Sequence, residues 1–361
     1  MDHITEFFVN QTVAPADIPP HLWSIMQAGV LAPSADNQHC FEFLATHDGI
    51  LLFGSEAYRI APYHKKILSL ISFGAVVENM IIRAARLGYR ADVLWQPDAT
   101  TPALVAELRL SRSEPSDTAH DAAISARHTN RRIIFRGPRL SQADLAQFQQ
   151  LSDGVDGVTL HFFDTERPRT ELLRLIRIAE TERFNTKALH EDLFSAVRFD
   201  VGWHASADAG LPPAALAVEP GARWAFAQLS HWPVMNVLRR FGGLHHALGF
   251  RAGYLPCRLA PHLAVLTTRL PVERGALAVG TALERVWLEA ETRGLAMQPL
   301  AGAALLALVQ YHEVPAKTGD ALRRGWKSLT DETPMMVVRL GHAKRPAVRT
   351  GRQPVENHLR D

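Results

Sequence analysis

The stretch that decides the fold is SFGAVVENMIIRAARLG at residues 72–88, together with its counterpart AVGTALERVWLEAETRG at residues 278–294. At an offset of 206 residues, four of the fifteen positions from 74 to 88 are identical. Apolar residues recur at steps of three and four in both stretches, which predicts long helices at 63–87 and 273–293. A glycine inside a helix weakens it and usually marks close packing, so we expect the two helices to pack together around Gly74 and Gly280.

The residues around the first stretch predict a small antiparallel sheet. Strands are expected at 41–45 and 50–53, on either side of a turn at Asp48-Gly49, and at 89–95 after the capping Gly88. A helix is expected to open at Pro19-Pro20 and to end before Pro33. Around the second stretch, a helix at 145–151 and a strand at 161–163 repeat parts of this pattern.

This repetition predicts an α+β protein of two fused halves, 1–120 and 121–361, each a mixed, mainly antiparallel sheet flanked by helices. The interval from strand to long helix is 29 residues in the first half and 115 in the second, an excess of 86 residues. An excess of that length predicts a lid-like insertion at about 185–270. We expect its own core to contain Trp203, Trp224 and Trp232.

The composition is that of a soluble globular protein, with 47% hydrophobic and 21% charged residues. The net charge of +2 predicts no general attraction to nucleic acid or to a membrane, so any anion site has to be local. Cys40 and Cys257 form no CxxC motif, which disfavours a disulfide framework or a zinc site and favours the reducing cytoplasm. The chain has no signal-peptide pattern, no uninterrupted apolar run of about 18 residues, and no dinucleotide, nucleophile-elbow or P-loop motif.

Three arginines and a hydroxyl are concentrated in RHTNRR at residues 127–132. In an extended backbone the side chains of Arg127, Thr129 and Arg131 point the same way. Two guanidinium groups with a hydroxyl between them can bind a phosphate through charge-assisted hydrogen bonds. The same run is also typical of a solvated basic segment at a domain junction.

Four motifs together resemble those of the FMN-dependent nitroreductase family. RHTNR at 127–131 is similar to the family's R-x-S-x-R, and APSADNQHCF at 32–41 resembles A-P-S-x-x-N-x-Q-P-W as far as the asparagine. GLAMQPLAG at 294–302 matches G-L-x-x-x-P-x-x-G, and GRQP at 351–354 is similar to the K-x-R-x-P tail, with Thr350 in place of lysine. His39, Cys40 and Phe41 stand where the family has glutamine, proline and tryptophan. The resemblance places these three positions at the edge of the flavin ring.

In that family, one subunit of a dimer supplies the arginines, the G-turn and the tail, and the other supplies the A-P-S-x-x-N loop. Here the loop occurs only in the first half and the other motifs only in the second. The resemblance therefore implies a dimer fused into one chain, as in the twin-domain, Acg-like branch, with a single retained flavin site. Such an internal pseudo-dimer needs no second copy of the chain.

The resemblance implies one FMN per chain, hydride transfer from NAD(P)H through flavin N5 to a small conjugated acceptor, and no catalytic residue, because the flavin is the reagent. The residues it places at FMN are Arg127, Thr129, Arg131 and Arg352 at the phosphate, Pro33, Ser34 and Asn37 at the ring and ribityl chain, and Pro299, Leu300, Ala301 and Gly302 near N5 and O4. Each motif alone is also typical of an ordinary turn or cap, and Arg345 and Arg349 are alternative phosphate ligands.

Five histidines are candidates for proton donation or substrate orientation, although each is also typical of a structural or surface position: His39, His204, His231, His245 and His246. No metal site is expected, because no third ligand stands at a suitable spacing from His245-His246. The alternative functions are an FMN-binding protein that shields its flavin under a closed lid with little turnover, and a fold that has lost its cofactor.

Overall fold

The computed structural model describes residues 12–98, 100–116, 119–311 and 313–360. The chain forms two compact units. The first unit contains Met1–Arg127, Ala276–Thr292 and Arg352–Asp361, and the second unit contains His128–Gly275 and Arg293–Gly351. These bounds differ from the predicted halves at 1–120 and 121–361, because most of the second long helix and the C-terminal tail pack with the first half of the sequence.

The first unit contains a four-stranded antiparallel sheet in the order β1-β2-β4-β3. Its strands are β1 (Phe41–Thr46), β2 (Gly49–Gly54), β3 (Tyr89–Trp95) and β4 (Leu104–Arg112). Its helices are Pro20–Val30, Glu56–Ile60, Tyr63–Arg86 and Ala119–Ala126, with 3-10 turns at Pro15–Asp17, Ala35–Asn37 and Val355–His358. The predicted hairpin is confirmed, with β1 paired antiparallel to β2.

The second unit contains another four-stranded antiparallel sheet, in the order β5-β6-β8-β7. Its strands are β5 (Val158–Phe162), β6 (His262–Thr268), β7 (Ala296–Leu300) and β8 (Thr333–Gly341). Its helices are Gln142–Asp153, Glu166–Asn185, Lys187–Ser195, Arg223–Leu229, Trp232–Gly242, Leu244–Gly249, Leu255–Leu259, Gly302–Leu308 and Ala316–Lys327. Shorter turns are Phe199–Val201, Pro213–Leu216, Pro220–Ala222 and the π-helical Phe250–Tyr254, and the helix Val272–Thr292 begins in this unit and ends in the first.

Both sheets place their strands in the order first, second, fourth, third, and in both a long helix connects the second strand to the third. We call these the first long helix (Tyr63–Arg86) and the second long helix (Val272–Thr292). Their bounds agree with the predicted 63–87 and 273–293 to within one residue. This shared order confirms the two-sheet α+β architecture that the repetition in sequence predicted.

The insertion in the second half occupies a different range from the one predicted. It lies between β5 and β6, at residues 163–261, and not at about 185–270, because β6 takes up residues that the spacing argument had included. It has its own core, in which Met235 is fully buried and Trp232 packs at the edge. Trp203 contacts Phe226 edge to face, but Trp224 is 76% exposed, so the expectation that all three tryptophans form the core is wrong for Trp224.

The two long helices cross at a pair of glycines, as the sequence predicted. A Cβ added to Gly74 would lie 2.0 Å from the carbonyl oxygen of Leu277, and one added to Gly280 would lie 1.9 Å from that of Ile71. Because Ile71 and Leu277 are themselves related by the 206-residue offset, the contact is reciprocal. Reciprocity of this kind is the mark of a two-fold interface between equivalent elements.

One helical turn after the two glycines, polar side chains make a second reciprocal contact between the two long helices. Arg285 donates to Glu78 at 2.8 Å, and Asn79 lies close enough to Glu284 to lower the pKa of its carboxyl group. Glu78 and Glu284 are related by the 206-residue offset, as are Asn79 and Arg285. The contacts of the helix pair therefore follow the 206-residue offset even where the residue types differ.

The first long helix is the one element among the described residues with the length and hydropathy of a membrane span. Its most apolar window is 78% buried inside the fold. A helix that is apolar on all sides is also typical of the core of a globular protein, so this composition alone is weak support for a membrane span.

We expect Gly280→Ala to lower the free energy of unfolding by about 1–3 kcal/mol, because the added methyl group meets a backbone carbonyl that has no room to move. Glycine to alanine inside a helix normally has the opposite sign, stabilising by about 1 kcal/mol. Urea unfolding of the full chain measures the change.

Gly319→Ala is the matched control for this prediction. It also lies inside a helix, but its nearest neighbour is the flexible end of the Arg323 side chain at 3.2 Å. We expect this variant to be as stable as the wild type or more so. Equal stabilisation by both substitutions would contradict the close helix crossing.

Candidate functional site

The loop that follows the helix Pro20–Val30 holds polar groups inside the first unit. Asp36 and Asn37 are consecutive residues with positive φ, 53° and 56°, a conformation that asparagine and aspartate tolerate better than other side chains. Asn37 is buried, and the Ser34 hydroxyl is buried with no hydrogen-bond partner among the residues the structure describes. Unusual backbone and unsatisfied buried polar atoms together are typical of functional sites.

The C-terminal tail brings a second motif to this loop. The amide of Arg360 donates to the carbonyl of Phe43 at 2.8 Å, so the tail lies along β1. This path places Arg352 where its guanidinium donates to the Asn37 side-chain oxygen at 2.7 Å and to the Ala32 carbonyl at 3.3 Å. Two motifs separated by 315 positions therefore meet within the first unit.

Arg127 lies in the same unit and is engaged with protein groups. Its Nε lies 3.0 Å from Glu284 Oε1, close enough for an ion pair but not aligned as a hydrogen bond. Its Nη2 donates to the Leu31 carbonyl at 2.7 Å, and its guanidinium lies 4.6 Å from the ring centre of Trp287. Arg127 is therefore buried beside a carboxylate, and its role at a phosphate stays a prediction.

Glu284 is fully buried, and burial raises the pKa of its carboxyl group to about 7 against the attraction of Arg127. Burial likewise lowers the pKa of Arg352 to about 9, with a further contribution from the positive charge of Arg127. Two guanidinium groups thus share one buried carboxylate. The interior of the first unit has an excess of positive charge near Asn37, which suits it to an anion.

His39 follows the same loop, and neither ring nitrogen has a hydrogen-bond partner among the described residues. Burial, together with the charges of Arg352 and His358, lowers its pKa to about 3. His39 is therefore neutral at physiological pH and is no imidazolium donor. The other candidates all lie in the second unit. His204 and His231 are exposed, and the tilted rings of His245 and His246 have centres 4.0 Å apart.

The described residues contain no group of three or more His, Cys, Asp or Glu side chains that could hold a metal ion.

In the second unit, backbone bonds fix the segment that carries the phosphate motif. Thr129 forms a parallel bridge with Met297, and the Asn130 amide donates to the Met297 carbonyl at 3.0 Å. The Asn130 side chain, itself fully buried, donates to the Lys344 carbonyl at 2.9 Å. The motif is therefore attached to both β7 and the segment after β8, which leaves Arg131 half-buried beside them.

Arg339 is a residue of this region that sequence reasoning missed. It lies on β8 with no exposed surface and donates to the Arg132 carbonyl at 2.6 Å and to the Gln298 side chain at 2.8 Å. Burial lowers its pKa to about 10. Arg339 thus ties the end of the phosphate motif to the strand that leads into Pro299, and its only signal in sequence was a single charge inside the apolar run MMVVRLG.

The G-turn is a junction between a strand and a helix. Pro299 and Leu300 end β7, Ala301 precedes the helix, and Gly302 is its first residue. A Cβ added to Gly302 would lie 3.2 Å from the Glu180 carboxylate, so the glycine allows a close approach here. The predicted residues thus fall into two groups: Pro33, Ser34, Asn37, Arg127 and Arg352 in the first unit, and Thr129, Arg131 and Pro299–Gly302 in the second.

No family model matches the chain. It is 22% identical over 368 residues to the uncharacterized protein MT1398 of Mycobacterium tuberculosis (strain CDC 1551 / Oshkosh). The alignment covers 93% of this chain and 47% of that protein. The chain therefore spans about half the length of this relative.

Three solved structures are similar to parts of the chain. The FMN-dependent nitroreductase NfnB from Mycobacterium smegmatis, in complex with NADPH, is 16% identical, with a TM-score of 0.40 and coverage of 67% of this chain and 97% of that one. A nitroreductase with bound FMN from Desulfitobacterium hafniense DCB-2 is 13% identical, with a TM-score of 0.36 and coverage of 68% and 99%. Iodotyrosine deiodinase bound to FMN and 3-iodo-L-tyrosine is 13% identical, with a TM-score of 0.34 and coverage of 65% and 95%. All three scores are below one half, so these similarities carry no assignment for this chain.

We expect the wild type to lose stability relative to Glu284→Gln as the pH rises from 4.5 to about 7. A carboxyl group whose pKa is raised on folding binds more protons in the folded state, so its ionisation at higher pH favours unfolding. The loss should be on the order of 3 kcal/mol by the conversion of a pKa shift to free energy. Urea unfolding at a series of pH values measures it.

Glu56→Gln makes the same chemical change at an exposed helix position and should follow the wild type across this range. A difference between wild type and Glu284→Gln that stays constant with pH would contradict an ionisable carboxyl group in the interior of the first unit.

Proposed function

We propose that the chain binds one FMN and acts as an NAD(P)H-dependent oxidoreductase of the nitroreductase type. The observation that carries the proposal is the hydrogen bond from Arg352 to Asn37 at 2.7 Å. The resemblance implied that the loop of the first half and the tail of the second half serve the same flavin. Their contact, between residues 315 positions apart in the sequence, is the arrangement that this hypothesis requires.

The residues of the first unit fit the chemistry of FMN. The cofactor combines a phosphate dianion, a polyhydroxylated chain and a flat ring with polar edges. The excess of positive charge around Arg352 suits an anion, and the unsatisfied Ser34 hydroxyl and the Asn37 amide suit polar oxygen and nitrogen atoms. An interior that leaves the Ser34 hydroxyl without a partner among the described residues is destabilised unless something else satisfies it.

We propose specific tasks for these side chains. Arg352, Arg131 and Thr129 would bind the phosphate, while Pro33, Ser34 and Asn37 would contact the ring and the ribityl chain. Backbone amides of the segment Pro299–Gly302 would donate to the polar edge of the ring, where glycine permits close approach.

Arg127 would support the site indirectly, by holding the carboxylate of Glu284 beside Arg352. Arg339 would fix the backbone around Arg131. When bound, FMN supplies the hydride chemistry between a nicotinamide and a small conjugated acceptor, so the protein needs to bind, orient and exclude water.

A protein that stores FMN without turnover would share the same ligand, so binding alone does not separate the two functions. Rapid anaerobic mixing of the FMN-loaded chain with NADPH, and separately with NADH, does. The reductase predicts prompt loss of flavin absorbance with at least one nicotinamide. Absorbance that persists with both would contradict the reductase and favour storage.

We expect Arg352→Ala and Arg131→Ala each to raise the Kd for FMN about ten- to a hundredfold, because each removes a charge-assisted hydrogen bond of about 1.5–3 kcal/mol. Titration of flavin fluorescence measures the Kd. Riboflavin lacks the phosphate, so its Kd should change much less in both variants.

Arg59→Ala is the matched control, because Arg59 is an exposed arginine that pairs with Glu56 on its own helix. Its Kd for FMN should equal that of the wild type. Equal losses of FMN and riboflavin affinity in the Arg352 and Arg131 variants would contradict their assignment to the phosphate.

A further inference from the structure

An apolar surface on the insertion faces solvent. The residues Val234, Val237, Leu238 and Phe241 recur at steps of three and four along the helix Trp232–Gly242, so they lie on one side of it. All four are exposed, Phe241 to 88%, and Trp224 on the preceding helix is 76% exposed. We call these five residues the apolar face. Monomeric soluble proteins rarely expose a contiguous patch of this kind without a partner for it.

The inner side of the same helix already has its packing partners. Met235 is fully buried in the core of the insertion, with Phe184 and Phe194. The apolar face is therefore not the core-facing side of this helix. It is a second apolar side of the helix, and burial within the described part of the insertion does not account for it.

The chain segment that carries the apolar face contains basic residues and no acidic ones. No aspartate or glutamate occurs between Glu219 and Glu273, whereas six arginines do. On the two helices of the face, Arg223 stacks over Trp203, Arg239 donates to the neutral Asn236 and Asn185, and Arg240 is exposed. None of these three arginines forms an ion pair within the described ranges, although Asn185 joins Arg239 to the Glu182 carboxylate. The exposed Arg240 therefore carries the charge most available to an anionic partner.

We propose that this surface docks on an anionic lipid bilayer, with the helix Trp232–Gly242 lying in the interface. A helix with an apolar side bearing tryptophan or phenylalanine and arginine at its edges has the composition of interfacial membrane-binding helices. Protruding side chains such as Trp224 and Phe241 enter a bilayer without a shaped pocket, whereas a protein partner has to supply one.

The whole-chain charge of +2 predicted no general attraction to membranes, and this surface is a local exception to it. Charges more than about 10 Å apart are largely screened from each other at physiological salt, so the attraction of the exposed Arg240 for anionic lipid depends on its near surroundings and not on the net charge of the chain. The attraction to anionic lipid should accordingly weaken as salt increases.

Co-sedimentation of the full chain with vesicles tests the proposal. We expect binding to vesicles of equimolar phosphatidylcholine and phosphatidylglycerol and at least about tenfold weaker binding to phosphatidylcholine alone. Arg240→Glu should lower the partition coefficient for the mixed vesicles about tenfold or more, because it reverses a charge at the surface. The double variant Trp224→Ser with Phe241→Ser should lower it by a similar factor through lost insertion.

Ile60→Ser is the matched control, since Ile60 is 75% exposed but lies in the first unit, outside the apolar face. It should bind the mixed vesicles like the wild type, and circular dichroism checks that every variant is folded. Equal binding to both kinds of vesicle, or binding to neither, would overturn the proposal. So would a concentration-dependent dimer in lipid-free sedimentation that the double variant abolishes, because a second copy would then cover the face.

Discussion

The structure of the first unit depends on a backbone contact between its two long helices. At Gly74 and Gly280 no side chain separates the helices, and a carbonyl of each occupies the space where the other would carry a Cβ. This approach is closer than any pair of larger residues permits. It also sets the depth at which the next turn of each helix lies, where Glu78, Arg285, Asn79 and Glu284 meet.

The buried charges near Asn37 follow from that contact. Once the second long helix lies against the first, Glu284 sits in the interior and needs a cation, which Arg127 supplies. The tail that runs along β1 adds Arg352 and leaves the cluster with more positive than negative charge. A buried excess charge destabilises the folded protein unless an opposite charge balances it. We propose that the anionic cofactor supplies that opposite charge.

The sequence predicted the elements of this fold well because their signals are local. Apolar residues at steps of three and four marked both long helices, and a mid-helix glycine in each indicated their crossing. The encounter of Asn37 with Arg352 was predicted from the family resemblance, since no local pattern connects positions so far apart. The bounds of the insertion were wrong because the spacing argument measured an excess of residues without placing β6 within it.

Other features depend on tertiary partners that a single sequence does not show. Nothing near Arg127 indicates that a carboxylate on the second long helix will face it, and Glu284 was noticed only as an identity in the repeat. Arg339 was not predicted because most of its partners are backbone carbonyl groups, which every residue has. Trp224 was expected in a core because large aromatic residues usually are, and here it is exposed.

The stoichiometry of FMN binding to the full chain is the most direct test of a fused dimer that has kept one flavin site. Isothermal titration of the flavin-free protein measures it. Our account predicts a single class of site and one FMN per chain. Two equivalent sites per chain would contradict the complementary loss of motifs between the halves, and a folded chain that binds none would contradict the flavin site itself.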